Sequence, residues 1–180
     1  EYFDSYMRAF YDGICYVRKG FHMSWFDSGK ILAIRNYIPK EKNGNKGRDY
    51  ESHGASVRYY ENGIENERAY YEHGKLHGEY KSYQENGIPS WFCEFKEGNM
   101  VGISKEWDDD GNINTITIRD DDIGNRHVIK TTYWPNGRKA SYREDIGLKQ
   151  CGIFCWWDEN GDIINEIDFT DGDKSIDIVI

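Results

Sequence analysis

Six glycines, each preceded by a turn-forming residue, recur along the chain at nearly constant spacing. They are Ser28-Gly29, Asn62-Gly63, Asn86-Gly87, Asp110-Gly111, Asn136-Gly137 and Asn160-Gly161, and the steps between them are 34, 24, 24, 26 and 24 residues. Four residues before each stands an aromatic: Trp25, Tyr59, Tyr83, Trp107, Tyr133 and Trp157. Nine residues before five of them stands another glycine, Gly20, Gly54, Gly78, Gly102 or Gly152; Val128 holds the sixth position. A period of this length is the mark of a repeat array, so it governs the fold assignment.

Between these glycines lie segments of six to nine residues rich in Tyr, Trp, Phe, Ile, Val and Thr. Such side chains favour strands, and the Asn-Gly and Asp-Gly pairs supply the positive φ of tight hairpin turns. Glycines at these short intervals would break any helix. The predicted fold is all-β, an elongated antiparallel meander of tandem β-hairpins of about 24 residues. The inside–outside parity does not hold from one repeat to the next, which predicts bulges.

The repeat sets the boundaries. Residues 1–19 read as a partial repeat, because Arg8–Gly13 parallels Arg68–Gly74. Residues 20–172 form the array. Its 34-residue first step predicts an insertion at 38–53, whose Lys-Glu-Lys-Asn-Gly-Asn-Lys-Gly stretch reads as a mobile loop. Residues 173–180 read as a terminal strand or cap, since Ile176–Ile180 alternates.

Composition narrows the function. Aromatics make up 16% of the 180 residues, which excludes a disordered acidic chain. No run of 18 apolar residues exists to form a transmembrane helix. The net charge of −9 is uneven: residues 1–60 carry 10 basic and 7 acidic residues, and residues 61–180 carry 13 and 25. An acidic second part repels phosphates and anionic lipid and attracts basic proteins. The one cationic run, Lys40–Arg48, is a weak lipid anchor. Nucleic acid is therefore not an expected partner, nor is a membrane. The cysteines Cys15, Cys93, Cys151 and Cys155 match no zinc spacing or disulfide framework, which favours a reducing, cytoplasmic setting.

No catalytic, metal or cofactor set is expected. Asp108-Asp109-Asp110-Gly111 partly matches a calcium loop, but Arg119 falls where the twelfth-position Glu is required. His73 and His77 have the i,i+4 spacing of helical metal ligands, yet Gly74 and Gly78 argue against a helix. The glycines fit no phosphate-binding motif, and no nucleophile–base set stands out. The aromatic column, with its turn glycines Gly29, Gly63, Gly87, Gly111, Gly137 and Gly161, is expected to be core. Phe26, Tyr60, Trp91, Trp134 and Trp156 are extra aromatics beside it.

The motif Tyr83-Gln84-Glu85-Asn86-Gly87, with the bend Gly74-Lys75-Leu76-His77-Gly78, resembles the bacterial variant form of the MORN repeat. Tyr59–Gly63 and Trp156–Gly161 match in the same way. The likeness spans about residues 20–172. It implies a curved, single-layer sheet of hairpins and no shared catalytic set. It also implies kinship with antitoxin or immunity-type proteins, or alternatively with structural or membrane-associated scaffolds.

These readings converge on a non-enzymatic protein-binding module. The leading expectation is an immunity or antitoxin protein that neutralises a basic toxin domain. The expected partner contacts are Asp108, Asp109, Asp110, Asp120, Asp121, Asp122, Trp134, Trp156, Asp158 and Glu159. Their carboxylates would steer the partner and the aromatics would anchor it.

Overall fold

A computed structural model describes residues 20–42, 45–120, 127–147, 149–170 and 176–178. The partial repeat at 1–19 lies outside the described residues, as do Asp121 and Asp122. The described residues form thirteen strands and no helix. The strands are β1 (Gly20–Trp25), β2 (Ile31–Lys42), β3 (Asn45–Tyr59), β4 (Glu65–Glu72), β5 (Lys75–Tyr83), β6 (Pro89–Lys96) and β7 (Asn99–Trp107). They continue as β8 (Ile113–Asp120), β9 (His127–Tyr133), β10 (Lys139–Ile146), β11 (Lys149–Trp157), β12 (Ile163–Asp168) and β13 (Ile176–Ile178). They make one open sheet, each strand pairing with the next in chain order. All twelve pairings are antiparallel.

The turn glycines close one kind of hairpin. In the turn after β5, the Gly87 N–H donates to the Gln84 carbonyl and the Gln84 N–H donates to the Ile88 carbonyl. The same pair of bonds recurs in all six such turns, from Phe26–Lys30 to Asp158–Asp162. A three-residue loop of this pattern ends in a left-handed residue, and Gly87 has φ +87°. The column aromatic forms the last cross-strand pair before the turn, as in Tyr83↔Pro89 and Trp157↔Ile163, and the register slips there. The opposite ends of the strands close more tightly. His73-Gly74 and Glu97-Gly98 each bridge a paired strand end with two positive-φ residues.

The second glycine of the repeat makes the expected bulge. Ala69↔Tyr80 is followed by Tyr71↔Leu76, so Tyr70 alone faces the stretch that contains Gly78 at φ +92°. Equivalent slips occur in the β2–β3, β6–β7 and β10–β11 pairs. The β8–β9 pair, where Val128 replaces glycine, runs in register without a slip. A left-handed bulge residue favours glycine, which has no Cβ, and β-branched Val is poorly suited to it.

The described parts of the insertion at 38–53, residues 38–42 and 45–53, are strand rather than loop. They lengthen β2 and β3, with Ile38↔Glu51, Pro39↔Tyr50 and Lys42↔Asn45 in register. Backbone pairing does not need apolar side chains, so the Lys- and Asn-rich composition did not exclude strand. Ile176–Ile178 does pair with β12, as the alternation predicts.

Directly opposed residues share a face. Two rows run across β1–β12 on one face. One passes through Ser56, Ala69, Tyr80, Cys93, Ser104, Thr117, Lys130, Arg143, Phe154 and Ile167. The other passes through Ala33, Glu67, Ser82, Trp91, Thr115, Thr132, Ser141 and Trp156. Among the described residues only nine side chains are buried, and seven of them (Ala33, Ala69, Cys93, Ser104, Thr115, Thr117 and Phe154) lie on this face. The column aromatics are half-buried rather than core. With no second layer above the sheet, only small side chains shaded by larger neighbours lose all contact with water.

Adjacent turns are tied along the edge. Tyr60 Oη donates to the Tyr83 carbonyl at 2.8 Å, Gln84 Nε2 to the Asp108 carbonyl at 3.1 Å, and Trp134 Nε1 to the Trp157 carbonyl at 3.0 Å. Asn62 and Asn136 reach the Glu85 and Glu159 carbonyls in the same way. Trp134→Phe keeps an aromatic group but trims the indole to a phenyl ring and removes one such bond, so it is expected to cost at least about 1 kcal/mol. Urea unfolding checks this, and an unchanged midpoint would show that water replaces the bond fully.

Candidate functional site

The sheet offers two edges and two faces, and the residues expected to bind a partner are divided among them. Asp108, Asp109, Asp110, Trp134, Asp158 and Glu159 lie on the edge of three-residue turns. Asp120 ends β8 at the opposite edge, and Trp156 stands on the sheet face. They do not form one acidic patch, because every second strand reverses and sends neighbouring sequence to opposite edges. Trp134 is half-buried, and its indole N–H is bonded to the next turn.

What the turns do bring together is a line of carboxylates. The second residue of the turn is Asp27, Glu61, Glu85, Asp109, Pro135 and Glu159 in chain order, and all five acids are exposed. Neighbouring strands are about 4.8 Å apart, so successive tips stand roughly 10 Å apart. That is close to the screening length in physiological salt, so the charges reinforce one another. Lys30 Nζ and Arg138 also lie on this edge. Lys30 donates to the Glu61 carbonyl at 2.8 Å, and Arg138 to the Glu159 and Asn160 carbonyls.

Two of these turns hold a carboxylate at their first position. Asp158 Oδ1 accepts from the backbone N–H of Asp162 at 3.0 Å and of Asn160 at 2.8 Å. These bonds, Asp162 first, hold the carboxyl below its usual range. Asp108 is also lowered: desolvation opposes the shift, and N–H donors from Asn112 and Asp110 outweigh it. Both stay charged through the physiological range.

The face with the buried row carries a groove of about 450 Å³ across β9–β12. Lys130 and Arg143, directly paired across β9 and β10, line it with Phe154, Trp156 and Phe169. Among the described residues no carboxylate lines it. The opposite face has a smaller groove of about 280 Å³ with Lys81, Lys105, Tyr83, Phe92 and Trp107 in its lining. Lys81 Nζ lies 5.7 Å from the Phe92 ring centroid. The acidic surface foreseen from the sequence is thus an edge, and the grooves between the edges are cationic and aromatic.

No activated nucleophile stands out among the described cysteines. Burial pushes the Cys93 thiol up to about 11, against a small opposing pull from Arg119. Burial likewise raises Cys151, with help from Glu144 and Asp145, and Cys155, with help from its contact to Glu166. Cys93 is 0% exposed. A thiol-disulfide exchange reagent at pH 7.5 is expected to leave Cys93 unmodified in the native protein and to modify it in urea. Peptide mapping reads this, and rapid native labelling of Cys93 would refute its enclosure.

The repeat geometry has a counterpart among known families. The family model of the MORN repeat variant matches residues 76–89 and 150–171. These two segments, 36 of the 180 residues, are similar to that repeat. The first match runs along β5 through its three-residue turn, and the second covers β11, its turn and β12. MORN repeats point to a module that binds protein or membrane. No curated protein matches the chain.

Proposed function

We propose that this protein is a non-enzymatic, cytoplasmic docking module for a basic protein, and that it acts as an immunity or antitoxin protein by occupying a basic toxin domain. The observation that carries the reading is the line of exposed carboxylates at Asp27, Glu61, Glu85, Asp109 and Glu159. Hydrogen bonds tie the turns of Asp27, Glu61, Glu85 and Asp109 in series, and tie the Pro135 turn to that of Glu159, so less order must be imposed on binding. A charged, preformed edge speeds encounter with a basic surface and suppresses acidic competitors. Trp156 and the half-buried column aromatics stand beside it as anchors.

The test is capture from native lysate at low and high salt, followed by co-expression of the captured protein with and without this chain. The expected result is a salt-sensitive partner of high pI whose toxicity to the host is relieved by this chain. Capture of no basic protein, or unrelieved growth arrest, would remove the reading.

A further inference from the structure

We propose that Glu72, His77 and Glu97 form a binding site for a divalent transition-metal ion of the zinc class, which clasps two successive hairpins. Glu72 ends β4, His77 lies in β5, and Glu97 stands in the two-residue turn between β6 and β7 with φ +53°. Strand pairing therefore brings together residues up to 25 positions apart. One donor atom from each lies within 4.8 Å of the other two. His77 Nδ1 is 3.3 Å from Glu72 Oε2 and 3.7 Å from Glu97 Oε1.

Three features distinguish this group from an ordinary surface cluster. First, His77 Nδ1 is shielded from solvent and makes no hydrogen bond, although two carboxylates adjoin it. A shielded nitrogen that lies 3.3 and 3.7 Å from two carboxylate oxygens and yet forms no hydrogen bond to either calls for an explanation. A shared imidazolium would point its N–H at one oxygen. A metal ion instead sits on the nitrogen lone-pair axis with the other ligands to the side. Second, the spacing suits an ion. Zinc lies about 2.0–2.2 Å from imidazole nitrogen and carboxylate oxygen, so two ligands of a tetrahedral ion stand roughly 3.4 Å apart. Third, Lys75 Nζ holds the other oxygen of Glu97, Oε2, at 3.0 Å and leaves Oε1 facing the site. Outer contacts of this kind orient ligands.

The donor set of one nitrogen and two oxygens selects the ion class. Calcium and magnesium favour all-oxygen shells, whereas imidazole with carboxylate suits zinc and its neighbours. Water would complete the fourth position. The pair His73 and His77, which the spacing alone suggests, is not the ligand set. His73 Nδ1 lies 2.8 Å from Glu51 Oε1, and its ring is 5.4 Å from that of His53.

Titration of the metal-stripped full chain with zinc chloride by calorimetry tests the site, with cobalt substitution to read tetrahedral coordination. One equivalent of zinc is expected to bind. His77→Ala and Glu97→Gln should each weaken binding at least 10-fold, and His127→Ala, at a separate contact with Glu144, should not. Glu97 is exposed, so its variant tests the site even if the His77 variant does not fold. Absence of saturable binding, unchanged affinity in Glu97→Gln, or an equal loss in His127→Ala would overturn the proposal.

Discussion

Truncation of Phe154 to alanine is expected to destabilise the C-terminal part of the sheet by about 3–5 kcal/mol, the range for removal of a buried aromatic. Phe154 is 5% exposed and is the one aromatic side chain buried among the described residues. Its ring meets Phe169 at a centroid distance of 4.9 Å and an angle of 61°, and Trp156 at 6.2 Å and 66°. Ile167 is its cross-strand partner. These edge contacts join β11, β12 and the segment after β12 in a chain that otherwise has little core. The lower end of the range is favoured, because the adjoining groove admits water to part of the space vacated. For a chain of this length each kcal/mol moves the melting temperature by roughly 2–4 °C, so a fall of about 6–12 °C follows.

The loss should be local. Repeats contact their neighbours alone, so stability is a sum of units and interfaces. Hydrogen exchange is expected to rise in β10–β12 while β4–β6 keep their protection. Ile164→Ala, at 53% exposure on the next strand, should change stability by less than about 0.5 kcal/mol. A melting temperature within about 2 °C of the parent for Phe154→Ala would show that the ring is not packed as described.

The strand order and the hairpin turns were legible in the sequence because backbone chemistry announces them. Asn62-Gly63, Asn86-Gly87 and Asn160-Gly161 prescribe a left-handed residue, and an aromatic marks the strand end before each. Bulges were expected, but their places were not read. One set coincides with the second glycine of the repeat and vanishes where Val128 stands. The insertion at 38–53 misled because charged, Asn-rich composition resembles a loop, while cross-strand hydrogen bonding is indifferent to it. Site residues were harder to read. Runs such as Asp108–Asp110 draw attention in a linear text, whereas the repeated turn position groups Asp109 with Asp27, Glu61 and Glu85, isolated acids in the sequence. Lys130 with Arg143, and Glu72 with Glu97, meet only once the bulged register is known.

Conversion of Asp27, Glu61, Glu85, Asp109 and Glu159 to their amides tests the edge with little risk to the fold. All five are exposed, and none lies in a strand. The Glu61, Glu85 and Glu159 carbonyls that accept bonds from adjacent turns are backbone groups, so the amides leave those bonds in place. Association with the captured basic partner is expected to slow by about 10-fold or more, because charge arrays act mainly on encounter. The dissociation rate should change much less, since the aromatic anchors are untouched. Salt should slow the parent protein strongly and the amide variant weakly, as both treatments remove the same field. Amides at Asp108 and Asp158 would confound the reading, because those carboxylates accept backbone hydrogen bonds inside their turns. Stopped-flow association at two ionic strengths separates the cases. If the five-site variant associates as fast as the parent at low salt, the carboxylates serve solubility alone, and the partner must instead be sought on the cationic, aromatic grooves of the faces.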